Sequence, residues 1–148
     1  MIFADTNVFY NFFFETELSP KARAIFESAF DVVTSFTVFN ELVFITLRKL
    51  AERNYDVKNY FDFRRFIVQN GYEHFEDELN ILFEFFEARD ILILSDYQDV
   101  HEWKRVMDTY HLLPNDALIA VTCRHHGIDT IATFDDDFRR VDFLNVIP

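Results

Sequence analysis

The sequence predicts an α/β domain built on a mainly parallel sheet of four to five strands. Three observations carry this. Short apolar or β-branched runs recur at 1–5, 31–36, 91–95, 129–134 and 144–147. Longer stretches with helical patterning separate most of them, and strands alternating with helices build parallel sheets. No Pro/Gly/Ser-rich linker, low-complexity tract or repeat interrupts the 148 residues, which fit one domain, 1–148.

The elements follow in order. Met1 to Asp5 read as a strand that ends on Asp5, Thr6 and Asn7. Ser19 and Pro20 read as N-cap and first residue of a helix running to about Phe30. "DVVTSF" is short and β-branched, a second strand. Thr37 then caps a helix over "VFNELVFITLRKLAER", with Glu41 in or just after its first turn. Two helices are expected at 56–70 and 73–89, broken near Gly71. "ILILS" is a continuous apolar run, typical of a strand buried on both faces. A helix follows from about Asp96 to Tyr110. "LLPNDALIAVTCRHHG" reads as a loop and a helix capped by Asn115 and stopped by Gly127. "DTIATF" and "LNVI" supply the last strands, with a short "FRRV" helix between them. Right-handed crossovers put the loops after the strand ends on one rim, where open parallel sheets bind ligands.

Composition narrows the chemistry. The chain has 20 Phe and only 2 Gly, Gly71 and Gly127, which stand alone. A Gly-rich phosphate loop of the Walker or dinucleotide kind is therefore excluded. The net charge of −12 argues against a nucleic-acid binder working through one broad basic face. It suits a protein that gathers carboxylates around a hard cation, or one with a basic partner. No apolar run spans a bilayer and no signal peptide is visible. The single Cys123 fits a reducing compartment, and a cytoplasmic location is expected.

The acids then fall into place. Asp5 follows the first strand, Glu41 lies early in the helix after the second, Asp116 opens the helix after "LLPN", and Asp135 follows "TIATF". All four map to the same rim. Carboxylates so gathered repel one another unless a cation lies between them. The expected occupant is Mg²⁺ or Mn²⁺, which takes oxygen ligands and is often held by a few carboxylates plus substrate phosphate. Helix N-termini at Glu41 and Asp116 favour the ionised carboxylates that binding needs.

In this order, "ADTNVF", "FNEL", "NDALIAV" and "TFDDDF" resemble the acidic motifs of PIN-domain nucleases, and by size and pattern the toxins of VapBC toxin–antitoxin pairs. The resemblance runs from Met1 to about Val141. "DTN" or "NEL" alone is weak; "NDALIA" followed about 20 residues later by T-x-D-x-D-F is fairly specific, and the ordered set is strong. By that resemblance Asp5, Glu41, Asp116 and Asp135 match the acidic quartet. Thr6, Asn7 and Thr133 match small polar residues beside the acids, and Asp137 matches a further acid, either a water-mediated ligand or a helix cap. What the resemblance implies is an endoribonuclease that uses Mg²⁺ or Mn²⁺ to activate water against RNA phosphodiesters. It also implies a three-layer α/β/α Rossmann-like fold, a homodimer, and an antitoxin partner. The segment 54–90, rich in Phe and acids, matches none of these motifs; its aromatic surplus is expected to serve dimer or partner contacts.

Blander readings stand beside these. Asp5 to Asn7 can be a strand-end turn, Glu41 an ordinary early helix acid, Asp116 a cap, and one of Asp135, Asp136 and Asp137 a cap for the following turn. Cys123 reads as core, and His125 and His126 as favourable charges at a helix end. Arg139 and Arg140 lie near the acids and are candidates for RNA-phosphate contacts, although basic pairs usually mean solvated faces. Two rival functions are weighed. A phosphohydrolase with Asp5 as nucleophile would want an acid at position 7, which is Asn7. A silent RNA- or protein-binding scaffold would not need four gathered acids.

Overall fold

The computed structural model describes residues 1–29 and 31–148. The chain runs β1 (Ile2–Ala4), α1 (Thr6–Phe13), α2 (Ser19–Ser28), β2 (Val32–Ser35), α3 (Phe36–Tyr55), α4 (Tyr60–Asn70), α5 (Glu76–Ala88), β3 (Leu92–Leu94), α6 (Val100–Tyr110), α7 (Pro114–His125), β4 (Thr130–Ala132) and β5 (Asn145–Ile147). Short 3-10 turns lie at Glu73–Phe75 and Asp136–Arg140. Two compact units result, one of Met1–Phe39 with Ile91–Pro148, the other of Asn40–Asp90. Among the described residues no helix is long and apolar enough to cross a membrane.

The first unit holds the sheet, in the order β3-β2-β1-β4-β5 with every pairing parallel. The α1–α2 crossover leads from β1 to β2, and the α6–α7 crossover leads from β3 back to β4. These two connections travel in opposite directions along the sheet. Right-handed crossovers therefore lay α1 and α2 on one face and α6 and α7 on the other, giving three layers. Phe3, Val33 and Ile131 from the strands and Val8, Phe9, Phe26 and Ile119 from the helices are buried between them.

Several local departures have physical reasons. Helix α1 was not expected, because Asp5 to Asn7 read as a turn; instead Asp5 caps it by accepting from the Thr6 amide. Ser19 does not cap α2. It is buried, accepts from the Thr16 amide and donates to the Phe14 carbonyl, closing the α1–α2 loop. Helix α2 ends at Ser28, and its expected end at Phe30 lies outside the described residues. Thr37 is not the cap of α3, which begins one residue earlier. Its amide and hydroxyl both donate to Asp96, which follows β3. That use of Asp96 delays α6 to Val100, where Asp99 caps it through the amides of His101 and Glu102. Asn115 is not a cap either: Leu113 is, with Pro114 as the first helical residue. The run at 91–95 forms β3, but at the sheet edge, with Leu92 56% exposed. A continuous apolar run carries no information about which strand has a neighbour on each side.

The second unit is helical. Asn59 caps α4 by accepting from the Asp62 amide, and Asp56 takes a positive φ of 55° just before it, so the helix expected from 56 starts at Tyr60. Gly71 stops it with a φ of 64°, the left-handed region that costs other residues more. Phe63, Phe75, Leu82 and Phe86 are buried here, and Phe75 lies 5.8 Å from Phe66 and 6.0 Å from Tyr55, ring centre to ring centre.

Candidate metal centre

The strand order reverses at β1, so the crevice outside the carboxyl ends of β1 and β4 is the topological switch point of this sheet. Asp5 leaves β1 there and Asp135 follows β4. The two strands are in register, with Ala4 beside Ala132, and the Asp5 amide donates to the Ala132 carbonyl at 3.0 Å.

Asp5 is only 7% exposed, and both its carboxylate oxygens are held. Oδ1 accepts from the Thr6 amide at 2.7 Å; Oδ2 accepts from Asn7 Nδ2 at 2.9 Å and from the Thr133 hydroxyl at 2.7 Å. Asn7 also donates to Thr133 Oγ1 and accepts from the Phe134 amide at 3.0 Å. Thr133 Oγ1 in turn accepts from the Asp135 amide at 3.0 Å. The supporting residues Thr6, Asn7 and Thr133 thus stitch the end of β1 to the end of β4. A buried carboxylate accepting three such bonds is fixed in orientation.

Beside this stitch, Asp116, Asp135 and Asp137 each bring a carboxylate oxygen into a group within 4.8 Å of one another, all half-buried. Asp116 comes from the first turn of α7, placed by Pro114 at the helix start. Asp135 caps the 3-10 turn by accepting from the Asp137 amide at 2.8 Å. An octahedral cation with bonds of about 2.1 Å sets its protein ligands roughly 3 to 4 Å apart. The trio needs only a small closure to meet that span, and an all-oxygen set suits Mg²⁺ or Mn²⁺. Asp136, the middle acid, points away and is exposed, paired with Arg139 at 2.8 Å.

Asp5 and Glu41 stand outside this trio. Glu41 is the sixth residue of α3, in the helical unit.

Two further residues have roles the sequence did not disclose. Arg140 donates to Asp137 at 2.6 Å and, through Nε and Nη2, to the carbonyls of Tyr110 and His111 at the end of α6. Its guanidinium holds the Asp137 carboxyl below the usual carboxylate range. The other is Asp96, the acid after β3. Its signal was present, since it follows an apolar strand run as Asp5 and Asp135 do, but it serves the start of α3. Cys123 is fully buried in α7; burial, then the charge of Asp5, pushes its thiol up, far from reactivity at neutral pH.

Comparison with known proteins finds relatives and structural neighbours along the chain. The chain is 37% identical over 111 residues to ribonuclease VapC2 of Methanocaldococcus jannaschii, covering 74% of this chain and 67% of that one. It is 26% identical over 155 aligned positions to ribonuclease VapC6 of the same organism, covering 99% and 95%. Among solved structures, FitAcB from Neisseria gonorrhoeae superposes with a TM-score of 0.62 at 20% identity, over 100% of this chain and 97% of that one. VapC20 of Mycobacterium tuberculosis, described as a toxin cleaving the sarcin-ricin loop, gives 0.57 at 16% identity over the whole of both chains. The PIN-domain family model matches residues 2–144, and the chain belongs to the PIN-domain family.

Proposed function

We propose that this protein is a Mg²⁺- or Mn²⁺-dependent endoribonuclease, the toxin of a toxin–antitoxin pair, working in the cytoplasm. One observation carries the reading: three carboxylates from two elements converge at the switch point of a parallel sheet, beside a fourth, Asp5, whose carboxylate accepts from three protein groups. The names of the two ribonuclease relatives support the substrate class.

In this reading Asp116, Asp135 and Asp137 hold the cation with Asp5 beside them; Glu41 joins the acidic set only by its match to the family's motif order. The cation supplies charge neutralisation at the phosphate and a more acidic water. The chain's own residues do the positioning. Thr133 and Asn7 orient Asp5. The Asp137 amide orients Asp135, and Arg140 restrains Asp137 while it partly offsets the acids' mutual repulsion. Arg139, exposed, paired with Asp136 and two residues after Asp137, is the cation offered to a substrate phosphate. Within 54–90, the surface of α5 and the turn before it serves protein contacts, to a second copy or an antitoxin. An open groove of about 340 Å³ lies there between Tyr72, Glu73, Glu76, Leu79, Asn80 and Phe83.

The test compares the natural chain with Asp116→Asn in EDTA and in millimolar Mn²⁺. Metal that binds the native state alone raises its melting temperature by mass action. The natural chain should cleave single-stranded RNA only with metal and should melt higher with it. The variant should lose cleavage, melt in EDTA as high as the natural chain or higher, and show a blunted metal response. Equal metal responses in the two proteins refute the site.

A further inference from the structure

An RNA-cleaving protein with a net charge of −12 must hold a polyanion against its own field. Its basic residues are unevenly placed. Six of the 14 Lys and Arg, against three of the 26 acids, fall within residues 48–65 of the helical unit. This stretch is net positive in an acidic chain. Its three acids are each spent on a local pair: Glu52 with Lys49, Asp56 with Lys58, and Asp62 with Arg65. Among the described residues, Arg48, Arg53 and Arg64 have no carboxylate partner. Arg48 is used internally, lying 5.5 Å from the Phe63 ring centre and donating to the Lys58 carbonyl. Arg64 is exposed.

Helix α4 has two faces. Phe63 is buried and Phe66 packs on Tyr55 and Phe75. The other face carries Tyr60, Phe61, Arg64, Arg65 and Val68, at the one-turn spacings that align side chains on a helix. All are exposed: Tyr60 by 52%, Phe61 by 75% and Val68 by 77%. The two rings meet edge to face at 5.8 Å, so they stand as a fixed pair beside two guanidiniums.

We infer that this outward face of α4, with Tyr60 and Phe61 as stacking rings and Arg64 and Arg65 as phosphate contacts, binds single-stranded RNA. The inference rests on the ribonuclease reading and adds the surface that retains the substrate. Exposed rings interleaved with cations are what unpaired bases and their phosphates require, and stacking tolerates any sequence. An apolar protein partner is the poorer occupant. It would bury Arg64 without a counter-charge, which costs more than it returns.

The probe is a fluorescein-labelled 12-nucleotide oligouridine, bound to the full chain in EDTA and read by anisotropy. The variants are Phe61→Ala/Arg64→Glu and the milder Arg64→Gln, both at exposed positions that leave folding intact by thermal melt. The double variant should bind at least ~10-fold more weakly, with a shallower salt dependence between about 50 and 200 mM, because fewer counterions are released. Arg64→Gln should fall between the two. A duplex of equal length should bind more weakly than the single strand. Unchanged affinity in the double variant, equal duplex binding, no binding by the natural chain, or a change of oligomeric state with RNA affinity intact each overturns the inference. Cleavage in Mn²⁺ separates it from the reading beneath it. RNA bound through this face but left uncut refutes the nuclease site alone. RNA cut by the double variant with an unchanged KM refutes the α4 surface alone.

Discussion

The sheet unit buries polar groups and satisfies them; the helical unit leaves apolar ones outside. Asp5, Thr6, Asn11, Ser19, Thr34, Ser35, Thr122 and Thr133 are all buried in the first, and the network from Asp5 to Thr133 uses several of them to fix acids in place. In the second, the buried polar side chain is Thr46, whose hydroxyl has no partner. Yet Phe44, Tyr55, Tyr60, Phe61, Val68, Tyr72, Ile81 and Phe83 are exposed there, in about half as many residues. Buried polar networks give uniqueness of geometry, which a charge centre needs. Exposed apolar groups give surface for association, which a chemical centre does not need.

Four changes break or sharpen this contrast. The largest effect is expected for Phe75→Ala, which empties the aromatic centre of the helical unit and should cost about 3–5 kcal/mol. Urea unfolding followed by far-ultraviolet circular dichroism should then run ahead of the fluorescence of Trp103, which reports the sheet unit. Coincident curves would merge the two units into one cooperative block. Next comes Thr133→Val, which removes a donor from Asp5 and orphans the Asp135 amide; about 1–3 kcal/mol of stability should go. Cleavage should fall about 10-fold or more, as when metal-orienting partners are lost. Full activity would reduce the stitch to a strand-pairing device. Thr46→Val should act in the opposite direction. It removes a buried hydroxyl without a partner and should add about 1 kcal/mol, raising the melting temperature by roughly 2–4 °C. A drop would mean that hydroxyl is satisfied in solution.

The smallest effect concerns pH. The amide of Glu102, followed by that of His101, lowers the Asp99 carboxyl from its ordinary value, outweighing the opposing desolvation. A depressed carboxylate contributes stability that is present above its unfolded pKa and lost as pH falls through the folded one. Asp99→Asn keeps a cap but cannot titrate. The difference in melting temperature between variant and natural chain should therefore shrink below about pH 4 and be constant above it. A difference that grows on acidification would contradict the assignment.

The parts of this molecule legible in its sequence are those fixed by local chemistry. Strand runs and Gly71 and Gly127 as stops read directly. The α1 helix did not, because one carboxylate serves as strand end and helix cap at once, and Asp5 reads equally as a turn. Residue type marks Thr37 and Asn115 as caps, but Asp96 claims the donors of Thr37, and Pro114 sets the start of α7 one residue ahead of Asn115. Nor could spacing reveal that Arg140 spends its guanidinium on Asp137 and two carbonyls at the end of α6, since those partners lie up to 30 residues away.

The bond from Thr133 to Asp5 spans 128 residues. Contacts so distant in sequence carry a large loop-closure cost and form when the intervening chain is largely in place. During synthesis, β1 to β3 can be complete while β4 is still unmade, and domains assemble from the N-terminal end at the pace of translation. Through that interval Asp5 lacks the hydroxyl that orients it, and Asp135 and Asp137 do not yet exist. An acidic cluster whose buried support spans such a sequence distance is thus incomplete until the segment carrying β4 has been made and paired with β1.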